Sequence, residues 1–170
     1  MTLNHRTLLL ALLPLAACFD LDHEVGTLEE SADAVGVAGL VVDVEAGDLV
    51  LSGESDRETI DVLVRVRSAV GSDSNDEEVL AATRVAFEEE SDGVLKLVVR
   101  VPDNYPAYSA DVEVLVPVGQ DVEVRDGSGD IVIGEVGSLR VDDGSGDLVV
   151  DGVAGDADIR DGSGDIVLTH

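Results

Sequence analysis

Tryptophan is absent from this chain of 170 residues, and there are only two Phe, two Tyr, one Met and one Cys. A core without large aromatic side chains has to be filled by aliphatic ones, and 30 valines are available for it. Valine loses rotamer freedom in a helix and packs well on a pleated surface, so strands are expected. With one cysteine, no disulfide can form within the chain. Basic residues are scarce too: 10 Lys and Arg stand against 37 Asp and Glu, a formal net charge of -27. A polyanion of this kind is repelled by nucleic-acid phosphates and by anionic lipid headgroups, which excludes both as charge-driven partners. Its three histidines, His5, His23 and His170, are too dispersed to form a zinc site or to activate a nucleophile.

What is present begins with an export signal. His5 and Arg6 make a short basic region, and residues 7–15 an apolar stretch too short to cross a bilayer as a helix, which takes roughly 20 residues. Leu15-Ala16-Ala17-Cys18 resembles the bacterial lipobox, in which the cysteine is lipidated and becomes the first mature residue. That resemblance implies a signal peptide over 1–17 and an anchor of several acyl chains at Cys18, enough for stable membrane attachment. An aspartate directly after the anchor is an inner-membrane retention signal in some bacteria. Here Asp20 is displaced by one position, so the outer membrane is favoured over the inner. The acidic stretch that follows shows no clear alternation and reads as a tether, giving a lipidated tether over 18–34 and one domain over 35–170.

Within that domain, Ile60, Val62, Val64 and Val66 alternate with polar residues, the period-two pattern of a half-buried strand. Further strands are expected over 37–44, 49–51, 94–101 and 111–116, and also over 79–87, where Thr83, Val85 and Phe87 alternate. Residues 68–78 and 102–106 read as loops.

The strongest signal is an internal repeat. Asp-Gly-Ser-Gly-Asp followed by an aliphatic residue starts at Asp126, Asp143 and Asp161, at intervals of 17 and 18 residues. Units this short cannot bury an apolar face alone and must stack. A β-solenoid of 17–18-residue rungs is therefore expected in the C-terminal third. Its inward residues would be Ile131, Ile133, Val136, Leu139 and Val141, then Leu148, Val150, Val153 and Ile159. An antiparallel meander or sandwich is the competing architecture, because the motif can also close a hairpin.

Residues 35–53, the strand ends at Pro102 and Pro117, and the serial SGDI and SGDL units resemble the bacterial envelope proteins known as adhesin-like or β-strand-repeat domains. The resemblance implies a solenoid-like fold outside the cytoplasm.

A non-enzymatic, lipid-anchored envelope protein with a structural or surface-interaction role is the function these features support. Ser128, Ser145 and Ser163 have no histidine partner, and three copies of one turn point to structure rather than to a catalytic centre. The alternative is a calcium-dependent adhesive module. In a stack, Asp126, Asp130, Asp143, Asp147, Asp161 and Asp165 would recur about every 4.8 Å and could share Ca²⁺. No other cofactor is expected. A polysaccharide-active enzyme is a more distant alternative, since a sugar-cleaving site needs paired carboxylates in a cleft. The last repeat has no capping element, so end-to-end self-association is a further expectation, opposed by net charge.

Overall fold

The computed structural model describes residues 23–69, 75–90 and 93–169; the signal segment, the lipobox with Cys18, and His170 lie outside them. Among these residues the chain is all-β apart from one short helix.

Two mixed sheets face one another. The first runs in the order β1 (His23–Asp33), β4 (Thr59–Ser68), β7 (Tyr108–Pro117), β3 (Leu49–Glu54), β9 (Ile131–Val136), β11 (Leu148–Val153) and β13 (Ile166–Thr169). The second runs β12 (Ala157–Asp161), β10 (Leu139–Asp143), β8 (Val122–Asp126), β2 (Gly39–Asp43), β6 (Val94–Arg100) and β5 (Arg84–Glu89). Antiparallel pairing is confined to β1–β4, β4–β7 and β5–β6; the other pairs are parallel.

Each Asp-Gly-Ser-Gly-Asp unit carries the chain from the second sheet to the first, as from β8 to β9 and from β10 to β11, rather than closing a hairpin. Strands of successive repeats then pair in parallel, Leu139 against Val122 and Leu148 against Ile131. This removes the hairpin meander from the C-terminal third. Parallel neighbours need a crossover, and here the crossover is the opposite sheet.

The core lies between the sheets and is almost wholly aliphatic. Ile60, Val62, Val64 and Val66 of β4 are buried, as are Ile131, Ile133, Val136, Leu139, Val141, Leu148 and Val150 of the repeats. Val153 and Ile159, nearer the end of the stack, are only partly covered.

Two sequence expectations are corrected. The acidic stretch read as a tether is in fact β1 over its residues 23–33, an edge strand paired along its length with β4. Its weak alternation reflects an edge position with much of the strand exposed. The strand expected over 79–87 is divided. Residues 76–82 form α1 (Asp76–Ala82), and only Arg84–Glu89 is strand. Asp76, Glu77 and Glu78 fill the first turn of α1, where carboxylates complement the helix dipole. Val79 is fully buried beneath it, and Thr83 ends the helix in an extended conformation with its hydroxyl donating to the Val79 carbonyl at 2.8 Å.

Candidate functional site at the aspartate corners

The six aspartates singled out by the repeat fall into two columns. Asp130, Asp147 and Asp165, which close each motif, stand in line on the outer side of the corner. The backbone N–H of Asp147 donates to Oδ1 of Asp130, and that of Asp165 to Oδ1 of Asp147, each at 3.0 Å. The column extends beyond the motif. The Asp130 amide donates to Asp48 at 3.0 Å, and the Asp48 amide to Asp111 at 3.1 Å. Asp111, Asp48, Asp130, Asp147 and Asp165 therefore make one carboxylate-to-amide ladder. Asp48 lies between the strands expected over 37–44 and 49–51; Asp111 carries no local motif and enters only through the β3–β7 pairing.

This bonding decides how so many like charges can be stacked. Neighbouring carboxylates about 4.8 Å apart repel by about 0.9 kcal/mol in water. A hydrogen bond to a charged group contributes about 1.5–3 kcal/mol net. Even discounted for exposure, the amide bonds offset the repulsion.

The second column is Asp126, Asp143 and Asp161, which open each motif and face inward. Their Oδ1 atoms accept turn amides: Gly127 on Asp126 at 2.8 Å, Ser145 on Asp143 at 3.1 Å and Ser163 on Asp161 at 2.9 Å. Asp126 is 8% exposed and Asp143 4% exposed, and Oδ2 of each is buried without a hydrogen-bond partner. By the β2–β8 register, Asp126 follows Val44 in the same inward row, so its other neighbour is apolar. Burial, and then the charge of Asp143, push the Asp126 carboxyl up to about 7. Asp143 is raised by burial, despite the amides of Ser145 and Gly144, with the Asp161 charge adding to the rise. Among the described residues no group of three or more His, Cys, Asp or Glu is placed to hold a metal ion.

The two outer faces differ in charge. In the second sheet Asp43 bridges Lys96 at 2.6 Å and Arg100 at 2.5 Å, and Arg125 pairs with Glu123 at 2.8 Å. Burial pushes the Asp43 carboxyl up, but hydrogen bonds from Lys96 and Arg100 outweigh it and hold the group below the usual carboxylate range. In the first sheet β3, β9, β11 and β13 carry no Lys or Arg at all. Their outward positions hold a row of Val50, Val132, Val149 and Val167 in register, next to the aspartate ladder at the corners that precede these strands. Three of these valines are exposed.

Tyr105, in the loop before β7, and Tyr108, the first residue of β7, edge a cleft of about 180 Å³ with Val44, Ala46, Val99 and Pro102. Sites that enclose small molecules typically measure roughly 300–1,000 Å³. Tyr108 donates to Asp76 of α1 at 2.8 Å, which ties the loop to the helix.

No protein-family model and no curated protein matches the chain. Solved structures do. The chain resembles a "putative cell adhesion protein" from Clostridium sporogenes with a TM-score of 0.52 at 10% identity, over 85% of this chain and 99% of the other. A "putative lipid binding protein" from Parabacteroides distasonis matches at 0.42 and 17% identity, over 84% and 59% of the two chains. A "putative adhesin" from Parabacteroides merdae matches at 0.41 and 12% identity, over 74% and 56%. The first likeness defines the class by fold: an all-β, two-sheet domain of the kind seen in that clostridial protein.

Proposed function

We propose that the chain is a non-enzymatic, extracytoplasmic surface-interaction protein, lipid-anchored at Cys18, whose C-terminal body is a β-solenoid. One observation carries this reading. All three copies of the motif serve the same structural corner, with the aspartate carboxylates accepting backbone amides. Serine and aspartate used in this way stiffen a column and leave broad outer faces for contact. The fold shared with a protein described as a "putative cell adhesion protein" supports the same reading. No helix among the described residues is long and apolar enough to cross a membrane. The proposed anchor is the lipobox cysteine, with the outer membrane as its destination.

Labelling with radioactive palmitate tests the anchor. The wild type is expected to take up label and to sediment with the membranes, and Cys18→Ala to lose both properties. An unlabelled wild type would reduce the leader to an ordinary secretory signal.

A calcium-dependent adhesive module is the second reading, favoured by the unpartnered Oδ2 atoms of Asp126 and Asp143. A bound cation would relieve their mutual repulsion. On this reading millimolar CaCl₂ raises the melting temperature in proportion to the logarithm of its concentration. No rise beyond that given by NaCl of equal ionic strength removes it.

A further inference from the structure

We propose that a groove on the outer face of the second sheet, floored by Gly39 and Val41, binds an alkylammonium group, carried by a free aliphatic amine or by a lysine side chain. The inference goes beyond the surface-interaction reading by naming a ligand class, and its test does not depend on acylation of Cys18.

The groove measures about 300 Å³ and crosses the first residues of β6, β2, β8, β10 and β12. It reaches the range of small-molecule sites, roughly 300–1,000 Å³, which the tyrosine-edged cleft does not. Leu40 and Val42 of β2 are buried in the core, so Gly39 and Val41, which alternate with them, face outward. Val41 is nevertheless only 5% exposed, because Glu123 and Lys96 flank it in register. An outward valine covered to this degree lies at the floor of a depression. Gly39 deepens it. Its pairing with Val94 is regular, and its φ is not positive. A Cβ built on Gly39 would have the Asp121 carbonyl oxygen as its nearest neighbour, at 3.8 Å. Neither a turn, nor a bulge, nor a crowding backbone therefore requires glycine here. A strand glycine without those reasons marks the close approach of a ligand.

Charge selects the ligand. Four carboxylates line the groove, those of Asp121, Glu123, Asp156 and Asp158, against the one guanidinium of Arg140. Arg140 is engaged by Asp158 at 3.5 Å, and Lys96, beyond Val41, by Asp43 at 2.6 Å. Glu123 accepts from Arg125 at 2.8 Å, and Asp121 accepts the Ser138 amide on Oδ1 at 2.7 Å. These bonds fix the two carboxylates in place, and the lining keeps a surplus of negative charge. Asp121 and Glu123 flank the buried Val122 and so share the outer side of the sheet. An ammonium set between them meets both charges, while its methylene stem lies across Gly39 and Val41 toward Val94. An apolar stem with a charged tip is the complement of an aliphatic floor with a carboxylate rim. Anions are repelled here, and a neutral chain would bring no charge to match the rim.

The test titrates the full-length chain in non-ionic detergent with pentylammonium chloride, read by the methyl NMR signals of Val41 and Val94. Ethylammonium keeps the charge without the stem, and pentanol keeps the stem without the charge. Pentylammonium is expected to bind about tenfold more tightly than ethylammonium, the contribution of about two covered methylenes. Pentanol is expected to leave both signals in place. Nα-acetyl-lysine N-methylamide offers the same group from a peptide. Binding equal to that of pentylammonium assigns the site to a lysine side chain, and binding of pentylammonium alone assigns it to a free amine. Gly39→Leu fills the groove with the charge unchanged and is expected to abolish the shifts in a protein that melts within a few degrees of the wild type. Should it unfold, Gly39→Ala, whose Cβ clears its neighbours, is expected to fold and to weaken binding severalfold. Asp142→Asn, on the same face but outside the groove, is expected to bind as the wild type does. Equal binding of the two amines, unchanged affinity in a folded Gly39 variant, or an equal loss in Asp142→Asn would reduce the effect to attraction by net charge and overturn the proposal.

Discussion

Gly146→Ala is expected to lower the melting temperature by about 6–12 °C. Gly146 has a φ of +145° at the corner between β10 and β11, where an L side chain is strained. Its position in the stack adds a second obstacle. A Cβ there would overlap the carbonyl oxygen of Gly129 in the repeat below. That oxygen belongs to backbone and cannot move aside without parting the Asp130–Asp147 ladder. Strain of about 1–3 kcal/mol and overpacking of about 1–3 kcal/mol combine to roughly 3 kcal/mol. At about 2–4 °C per kcal/mol for a chain of this size, the stated range follows. Gly134→Ala is the control. Its Cβ would lie 3.6 Å from the nearest atom, the Asp151 carbonyl oxygen, which is ordinary contact. Melting followed by circular dichroism should leave Gly134→Ala near the wild type. A Gly146→Ala protein that melts with it would mean that the corners are not close-packed.

Asp126→Asn should stabilise the protein at pH 8 by on the order of 2 kcal/mol and lose this advantage progressively as the pH falls from about 7 to about 4. In the folded chain the Asp126 carboxyl is pushed up to about 7 by burial and by Asp143; unfolded, it returns to about 3.9. Between those values the folded state binds a proton that the unfolded state does not, so stability falls as pH rises. Above 7 the carboxylate is charged in both states, and the folded protein bears the full cost of a buried, half-satisfied charge. Asparagine keeps the oxygen that accepts the Gly127 amide and removes the charge. The groups facing Asp126 are Val44 on one side and Asp143 on the other, with the charge of Asp48 adding slightly to the rise. Asp143 is raised as well, so the double variant Asp126→Asn with Asp143→Asn should flatten the profile further. Asp43 has the opposite sign. Its carboxyl is held below the usual range, so its contribution is lost only in stronger acid, outside this window. Lowering the net charge of -27 also relieves general repulsion. Asp142→Asn, next to Asp143 in the chain and exposed, measures that part. Equal gains from Asp142→Asn and Asp126→Asn would place the effect in overall charge and not in the buried column.

Both predictions concern contacts between repeats, which is where sequence and structure divide. Alternation in β4 identified its buried side correctly, because period two is a local property that half-burial imposes residue by residue. The inward residues of the repeats were legible for the same reason, reinforced by three aligned copies. Residues 79–87 were misread because a short helix and a short strand present similar apolar counts. The burial of Val79 against the sheet, a tertiary contact, resolved the ambiguity. Residues 23–33 were misread because an edge strand has only one neighbour and leaves little imprint on hydropathy. Side-chain direction reverses within the turn, which separates the buried Asp126 from Asp130 of the ladder. The turn sends the first inward and the second outward.

The sequence alone determined a valine-built β protein of high negative charge, with glycine-aspartate corners every 17 or 18 residues. These follow from composition, period and spacing, which are properties of neighbours along the chain. Only the tertiary structure decided that the corners cross between sheets. It also joined Asp48 and Asp111 to the ladder and buried the Asp126 carboxyl. Each of these depends on which strand lies beside which, and that pairing brings together residues up to 82 positions apart.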